Sequence, residues 1–387
     1  MIDATHTAAL ARLRDFLPHA GADYARMRNY DDRAHVSVLS PYIRHRILTE
    51  EEVLQATLAR HSPSAAEKFI QEVYWRTYWK GWLEMRPSVW TAYRADLSAA
   101  WNRVQTESGL RQEWEAACQG ETGIDGFDHW ARELVETGYL HNHARMWFAS
   151  IWIFTLRLPW ALGADFFLRH LLDGDPASNT LSWRWVAGLQ TKGKTYLARP
   201  DNIAKYTEGR FNPTGLATHA AALESPPHPD RQPVPVSDTI DPGNPRVLLI
   251  TEEDMSPGWL LDQVKPQATA IVQTTDRRSH LQVSTAVTDF VRRGLDACAT
   301  RYGDKLGTVS HLTPDALPDW ASDHGAAQIV TSYIPTGPTR DALAGVPLCQ
   351  VIRPFDSAAW PYATHGFFKF KEKIPGLLGQ LKGLKAV

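Results

Sequence analysis

The chain has 387 residues, of which 43% are hydrophobic and 22% charged, and its formal net charge is -2. At roughly 100–200 residues per domain this predicts two or three domains, and it excludes a largely disordered chain or a uniform polycation. No run of 18 apolar residues occurs and the first residues are polar, so neither a transmembrane helix nor a signal peptide is expected. Three isolated cysteines, Cys118, Cys298 and Cys349, rule out a disulfide framework, a four-cysteine zinc site and an iron–sulfur cluster. The expectation is a cytoplasmic protein with no metal and no membrane contact.

Residues 1–215 read as almost entirely helical, with acids and bases in balance. A helix is expected over 64–85, opened by a capping box from Ser64 to Glu67, with Phe69, Val73, Trp75, Trp79 and Trp82 at helical spacing. A second helical region covers 127–156, interrupted near Gly138, and a shorter helix covers 165–172. Asp175-Pro176 reads as an N-cap followed by Pro at the first helical position. Of the 15 tryptophans, twelve lie between Trp75 and Trp185, which suits either a helical core rich in indoles or a redox or stacking protein. Residues 216–245 lose hydrophobic periodicity, and seven prolines lie between Pro226 and Pro245, so this is a semi-extended linker. Strands are expected at 247–251, 269–275, 307–312, 327–333 and 349–353, with a helix at 284–297. Residues 246–387 therefore read as a small parallel α/β domain with no phosphate-binding glycine loop. The last segment, 366–387, is lysine-rich and reads as a solvated tail. The fold class expected is mainly α, with an all-helical domain followed by a smaller α/β parallel-sheet domain.

Three clusters stand out: Glu72-Val73-Tyr74-Trp75-Arg76, Leu140 to Met146, and Asp173 to Asn179 followed by Trp183-Arg184-Trp185. On a helix, Glu72, Trp75, Arg76 and Trp79 share a face, and so do Asn142, Arg145 and Met146. Taken singly, each cluster reads equally as a structural ion pair, Glu72 with Arg76 and Arg145 with an aspartate.

Together with Ser37 to Tyr42 and Phe211-Asn212-Pro213, and in this order, they resemble the FAD-binding helical domain of the DNA photolyase/cryptochrome family over residues 5–215. That family places its α/β domain first, and Ala363 to Phe370 resembles the end of that domain, so the resemblance implies a circular permutation. It further implies FAD contacts from Tyr24, Ser37, Val38, Leu39, Ser40, Arg76, Arg145, Asp173, Asp175 and Asn179, with Asn179 at flavin N5. Trp75 and Trp185 would clamp a flipped cyclobutane pyrimidine dimer, and stacking of this kind is worth about 1–3 kcal/mol per base. Glu72 would bond a dimer carbonyl, with Asn142 and Met146 beside it. Trp183 and Trp160 would carry electrons to the flavin. His143 stands where the family has an Arg on DNA phosphate, which implies weaker, pH-dependent binding. The loop 190–194, basic and glycine-containing, would replace that contact. The activity implied is light-driven repair of UV-damaged DNA, single strands included. The alternative is a cryptochrome-like blue-light photoreceptor. An antenna chromophore and a protein partner stay unassigned.

Overall fold

Thr49 shows how local chemistry sets the helix starts. Its hydroxyl accepts from Glu52 N and the Glu52 carboxylate accepts from Thr49 N, a complete capping box. The box expected at Ser64 is absent, because the hydroxyl of Ser62 is spent on Ala65 N inside a turn and Ser64 bonds Ser62. The next helix therefore starts at Glu67, after Ala66, without a side-chain cap.

The computed structural model describes residues 2–381. Its helices run α1 His6–Phe16, α2 Ala22–Met27, α3 Ser40–Arg44, α4 Glu50–Arg60, α5 Glu67–Glu84, α6 Ser88–Thr106, α7 Ser108–Gln119 and α8 Phe127–Thr137. They continue with α9 Asn142–Ser150, α10 Trp160–His170, α11 Pro176–Val186 and α12 Pro200–Tyr206. Gly138, in the left-handed region at φ 68°, ends α8 where the interruption is expected. A π turn over Ile151–Thr155 closes the run that α9 begins. The helix expected at 165 starts earlier, at Trp160, because Pro159 supplies its entry.

From Leu216 to Pro245 the described chain has no regular element and lies against both flanking parts. Leu223 N donates to Ala187 O, Gln232 N to Met85 O and Asp238 N to Gln350 O. The second half then runs β1 Arg246–Thr251, α13 Gly258–Val264, β2 Ala268–Val272, α14 Thr285–Tyr302, β3 Thr308–Leu312, α15 Leu317–Asp323, β4 Gln328–Ser332, α16 Pro338–Ala342, β5 Leu348–Val351, α17 Pro354–Ala359, α18 Phe367–Lys371 and α19 Ile374–Leu378. All strands pair in parallel, in the order β3-β2-β1-β4-β5. β2 ends three residues short of expectation. Thr274 and Thr275 turn off to donate to the buried Glu252 carboxylate at 2.8 and 2.9 Å.

Side chains alternate across β1, so its two faces meet two cores. Val247 and Leu249 pack with Leu317 and Ala321, while Leu248 and Ile250 join the large core that begins in α1. Helical part and sheet thus share one apolar core. The lysine-rich end is no solvated tail. Phe367, Phe370, Ile374 and Leu377 are buried in that same core, because the lysines alternate with apolar residues at helical spacing. Lys382 and Lys385 lie outside the described residues. Among those described, no helix is long and apolar enough to cross a membrane, and no acid–histidine–cysteine group is arranged to hold a metal ion.

Candidate functional site

A cavity of about 520 Å³ opens in the helical half, within the size range of cofactor pockets. Its wall comes from α2, the loop and helix at 36–43, α5, residues 139–149 with α9, the end of α10, and α11 with the turn before it. Val38 takes φ 51°, a region β-branched residues rarely adopt, and the resulting turn puts Ser37, Val38, Leu39 and Ser40 all on the cavity wall.

The floor is a charge cluster. Arg145 grips Asp173 through two bonds of 3.0 Å and donates a third, from Nε, to Leu140 O at 2.8 Å. Burial pushes the Asp173 carboxyl up, but Arg145 and Arg76 outweigh it and hold the group below its usual range. Asp175 caps α11, accepting from Ser178 N at 2.7 Å. Burial also pushes its carboxyl up, yet Lys80, Arg44 and Arg76 hold it well below the usual range. Their charged nitrogens stand 3.7, 3.7 and 3.9 Å from its Oδ2. Asn179 donates Nδ2 to Ala164 O at 2.7 Å, which leaves its amide oxygen and a second amide N–H.

Five buried polar atoms of wall residues have no hydrogen-bond partner: Arg76 Nη1, Asp175 Oδ2, Ser178 Oγ, Trp183 Nε1 and His141 Nε2. Buried polar groups are normally satisfied. These atoms offer donors and an acidic acceptor to one polar, anionic, ring-bearing ligand, and so they fit FAD.

The structure brings all the expected cofactor residues to this cavity: Tyr24, Ser37, Val38, Leu39, Ser40, Arg76, Arg145, Asp173, Asp175 and Asn179. Glu72, Asn142, Trp183, Trp75, Met146 and Trp185 join them. Trp160 does not. It packs on Tyr93, while Trp183 meets Trp152 edge-on at 6.2 Å between ring centroids. Gly163 permits that approach, since a Cβ there would stand 2.3 Å from the Trp183 ring. His143 is also off the cavity. It stacks on Trp147 at 4.1 Å and its Nδ1 bonds Asn29 O at 3.0 Å. Burial lowers its pKa, so it is a neutral packing group and not the pH-sensitive phosphate contact expected. The ion pair expected between Glu72 and Arg76 is absent too. Glu72 pairs with Arg28 from α2, and Arg76 turns to Asp175. Sequence reasoning missed Arg28, Arg44 and Lys80. Lys80 was discoverable, because it continues the row Glu72, Arg76 at i+8. Arg44 carried no such signal.

His141, His143 and His170 are all lowered by burial, His141 and His170 to about 4. The unfolded chain protonates these rings near pH 6.5 and the folded chain does not, so stability falls as pH drops from 6.5 toward 4. Asp31, raised to about 6 chiefly by burial, takes its proton first in the folded state and offsets one ring. His45 and His228 are lowered by burial as well, so unfolding near pH 5 should take up protons on balance. Melting temperatures measured from pH 7.5 to 4.5 check this, and a flat profile down to pH 5 contradicts it.

Residues 69–216 match the family described as the FAD binding domain of DNA photolyase. Over these residues the chain carries the flavin-binding domain of the DNA photolyase/cryptochrome family. Its helical part is accordingly the family's FAD-binding domain. Among curated relatives, the deoxyribodipyrimidine photo-lyase of Vibrio cholerae is 30% identical over 230 residues, 55% of this chain and 46% of the relative. The enzyme of the same name from Thermus thermophilus is 35% identical over 230 residues, 59% of this chain and 52% of the relative. The chain thus spans about half the length of these relatives. Among solved structures, a bacterial class III photolyase from Agrobacterium tumefaciens is 27% identical with a TM-score of 0.44, over 52% of this chain and 42% of that one.

Proposed function

We propose that this photolyase-family chain binds UV-damaged DNA and splits cyclobutane pyrimidine dimers in light. Bound FAD supplies the light-excited electron. The observation carrying the proposal is the convergence of Glu72, Trp75, Asn142, Met146 and Trp185 on the cavity that also holds the Arg145–Asp173–Asp175 cluster. Arg76, Arg145 and the 37–40 loop hold the cofactor. Trp75 and Trp185 offer apolar ring surface to a flipped lesion. Glu72 stands where a carboxyl, when protonated, can donate to a dimer carbonyl. Relatives named deoxyribodipyrimidine photo-lyase support the lyase class. The strand order β3-β2-β1-β4-β5 supports residues 246–387 as the family's α/β domain, moved behind the helical one across the linker 216–245. Three free cysteines fit a reducing cytoplasm. The deciding experiment irradiates the FAD-loaded, prereduced protein with a thymine-dimer oligonucleotide and follows dimer loss. No loss at any light dose removes the assignment.

A photoreceptor is the second reading. The engagement of the half-buried His143 with Trp147 and Asn29 favours it, because a ring held neutral by burial makes a weaker contact to DNA phosphate.

Trp183 is buried, with its Nε1 unpartnered at the cavity. Trp183→Phe should keep FAD bound while slowing its photoreduction at least tenfold, since Phe preserves bulk but resists oxidation. Gly163 leaves room for the smaller ring without a clash. An unchanged photoreduction rate, measured by bleaching of the flavin band, would show that electrons enter elsewhere.

A further inference from the structure

Residues 364–371 lie antiparallel along the outside of α5, the helix that carries Glu72, Trp75 and Arg76 to the cavity. Three contacts pin them. Arg86 Nη2 donates to Thr364 O at 3.0 Å, Tyr78 Oη donates to His365 O at 2.7 Å, and Lys371 pairs with Glu67 at 2.9 Å.

The two phenylalanines of this segment do opposite things. Phe367 is buried and stacks face to face on Trp75, with 3.6 Å between ring centroids and 12° between planes. Trp75 lines the cavity and Phe367 does not, so Phe367 backs the indole from behind. Tyr78 closes on both rings edge-on, which leaves the indole little freedom to turn. Phe368 points away from this core and is 81% exposed. A single exposed aromatic is ordinary. This one is the residue next to the ring behind a cavity wall, and lysines flank it. Lys369 and Lys373 are exposed with no carboxylate in ion-pair range among the described residues. Lys371 is neutralised by Glu67, and Glu372 offsets one charge. Lys373 also lies over the Tyr362 ring, 5.9 Å from its centroid, which leaves its charge unneutralised. A free aromatic face beside ammonium groups that no carboxylate pairs is complementary to an unpaired stretch of nucleic acid, whose bases stack and whose phosphates are anionic.

We propose that α18 is a strand-binding edge of the site. Phe367 positions Trp75, and Phe368 stacks a DNA base neighbouring the one that enters the cavity, with Lys369 and Lys373 on the phosphates. The inference rests on the DNA-binding part of the function proposed above, and not on repair itself. It assigns a DNA contact to the far end of the chain, outside the helical domain that holds FAD.

The test uses the full, FAD-loaded chain and two fluorescent oligothymidine single strands, one with a single thymine dimer and one undamaged. Phe368→Ala should weaken both probes about tenfold, and Phe368→Trp should restore them. The melting temperature and FAD content should not move, because the side chain is exposed. Phe367→Leu should weaken the dimer probe more than the undamaged one, because only the flipped lesion meets Trp75. A general loss of structure would not produce that split. Wild-type affinity of Phe368→Ala for both probes overturns the inference while leaving the proposed function standing. A wild type that binds neither probe overturns both. Strand binding that depends on Phe368, without light-driven dimer loss, supports the inference and removes repair.

Discussion

Asp175→Asn should fold, keep helix α11 and lose its FAD. Asn is as good an N-cap as Asp, so the bond from Ser178 N survives. What disappears is the negative charge facing Lys80, Arg44 and Arg76. Arg44 keeps Glu253, which it holds through two bonds of 2.8 Å. Arg76 and Lys80 lose a close carboxylate, and only Asp173 for Arg76 and Glu253 and Glu50 for Lys80 remain to offset their charge. Breaking a buried ion pair from one side costs about 3–5 kcal/mol. A melting temperature lower by about 5 °C is therefore expected. The unpartnered Oδ2 is also the acidic acceptor of the cavity, and hydrogen bonds to charged groups contribute about 1.5–3 kcal/mol. FAD affinity should fall on the order of 100-fold. Flavin absorbance per chain after desalting, followed by titration with FAD, measures this. Full retention of flavin would mean that Asp175 serves only the helix cap. Asp175→Ala separates the terms further, since it removes cap and charge together and should melt lower than the Asn variant.

The same cluster links the cavity to the second half of the chain. Arg44 donates Nε to Gly174 O at 2.8 Å and its other nitrogens to Glu253, at the end of β1. Thr339 donates to that same Glu253 at 3.1 Å. The turn that carries Asp173 and Asp175 is thus braced from the α/β part, and the helical part alone would leave Arg44 without its main partner.

How much of this was legible follows from which interactions are local. The N-cap at Asp175, the break at Gly138, the five strands and the proline-rich linker are set by residues within a few positions of each other. The sequence pattern shows them directly. The cavity's cofactor wall was legible for another reason, since spaced motifs in a fixed order carry more information than any single pair. The failures are mostly long-range, with one local competition at Ser64. Ser64 has the right residue three positions before Glu67, yet Ser62 competes for the turn and shifts the start. Glu72 has Arg76 at the correct helical spacing, yet Arg28 approaches from another helix and wins. Phe367 looks like part of a polar tail until α5 is placed beside it.

The partner switch at Glu72 sharpens the last expectation. Glu72→Gln should lower dimers split per absorbed photon on the order of tenfold, with little change in lesion affinity. Gln keeps the size and a carbonyl that can still accept from Arg28. The Glu72–Arg28 pair is about 30% exposed on each side, and such pairs contribute about 0–1 kcal/mol, so the melting temperature should stay within about 2 °C. Arg76 belongs to Asp175, so FAD binding should not follow the mutation either. What Gln lacks is the acid that can stabilise charge on the dimer after the electron arrives. An interaction made only in that state acts on turnover and not on ground-state binding. Arg28→Ala is the companion variant. It frees Glu72 without removing the carboxyl, so it should retain more repair than Glu72→Gln. If both variants split dimers with the wild-type yield, the carboxylate at the mouth of the cavity is a surface ion pair and the repair assignment loses its reactive group. If Glu72→Gln loses affinity and yield in equal measure, Glu72 binds the lesion in its ground state, and stabilisation after electron transfer is not its role.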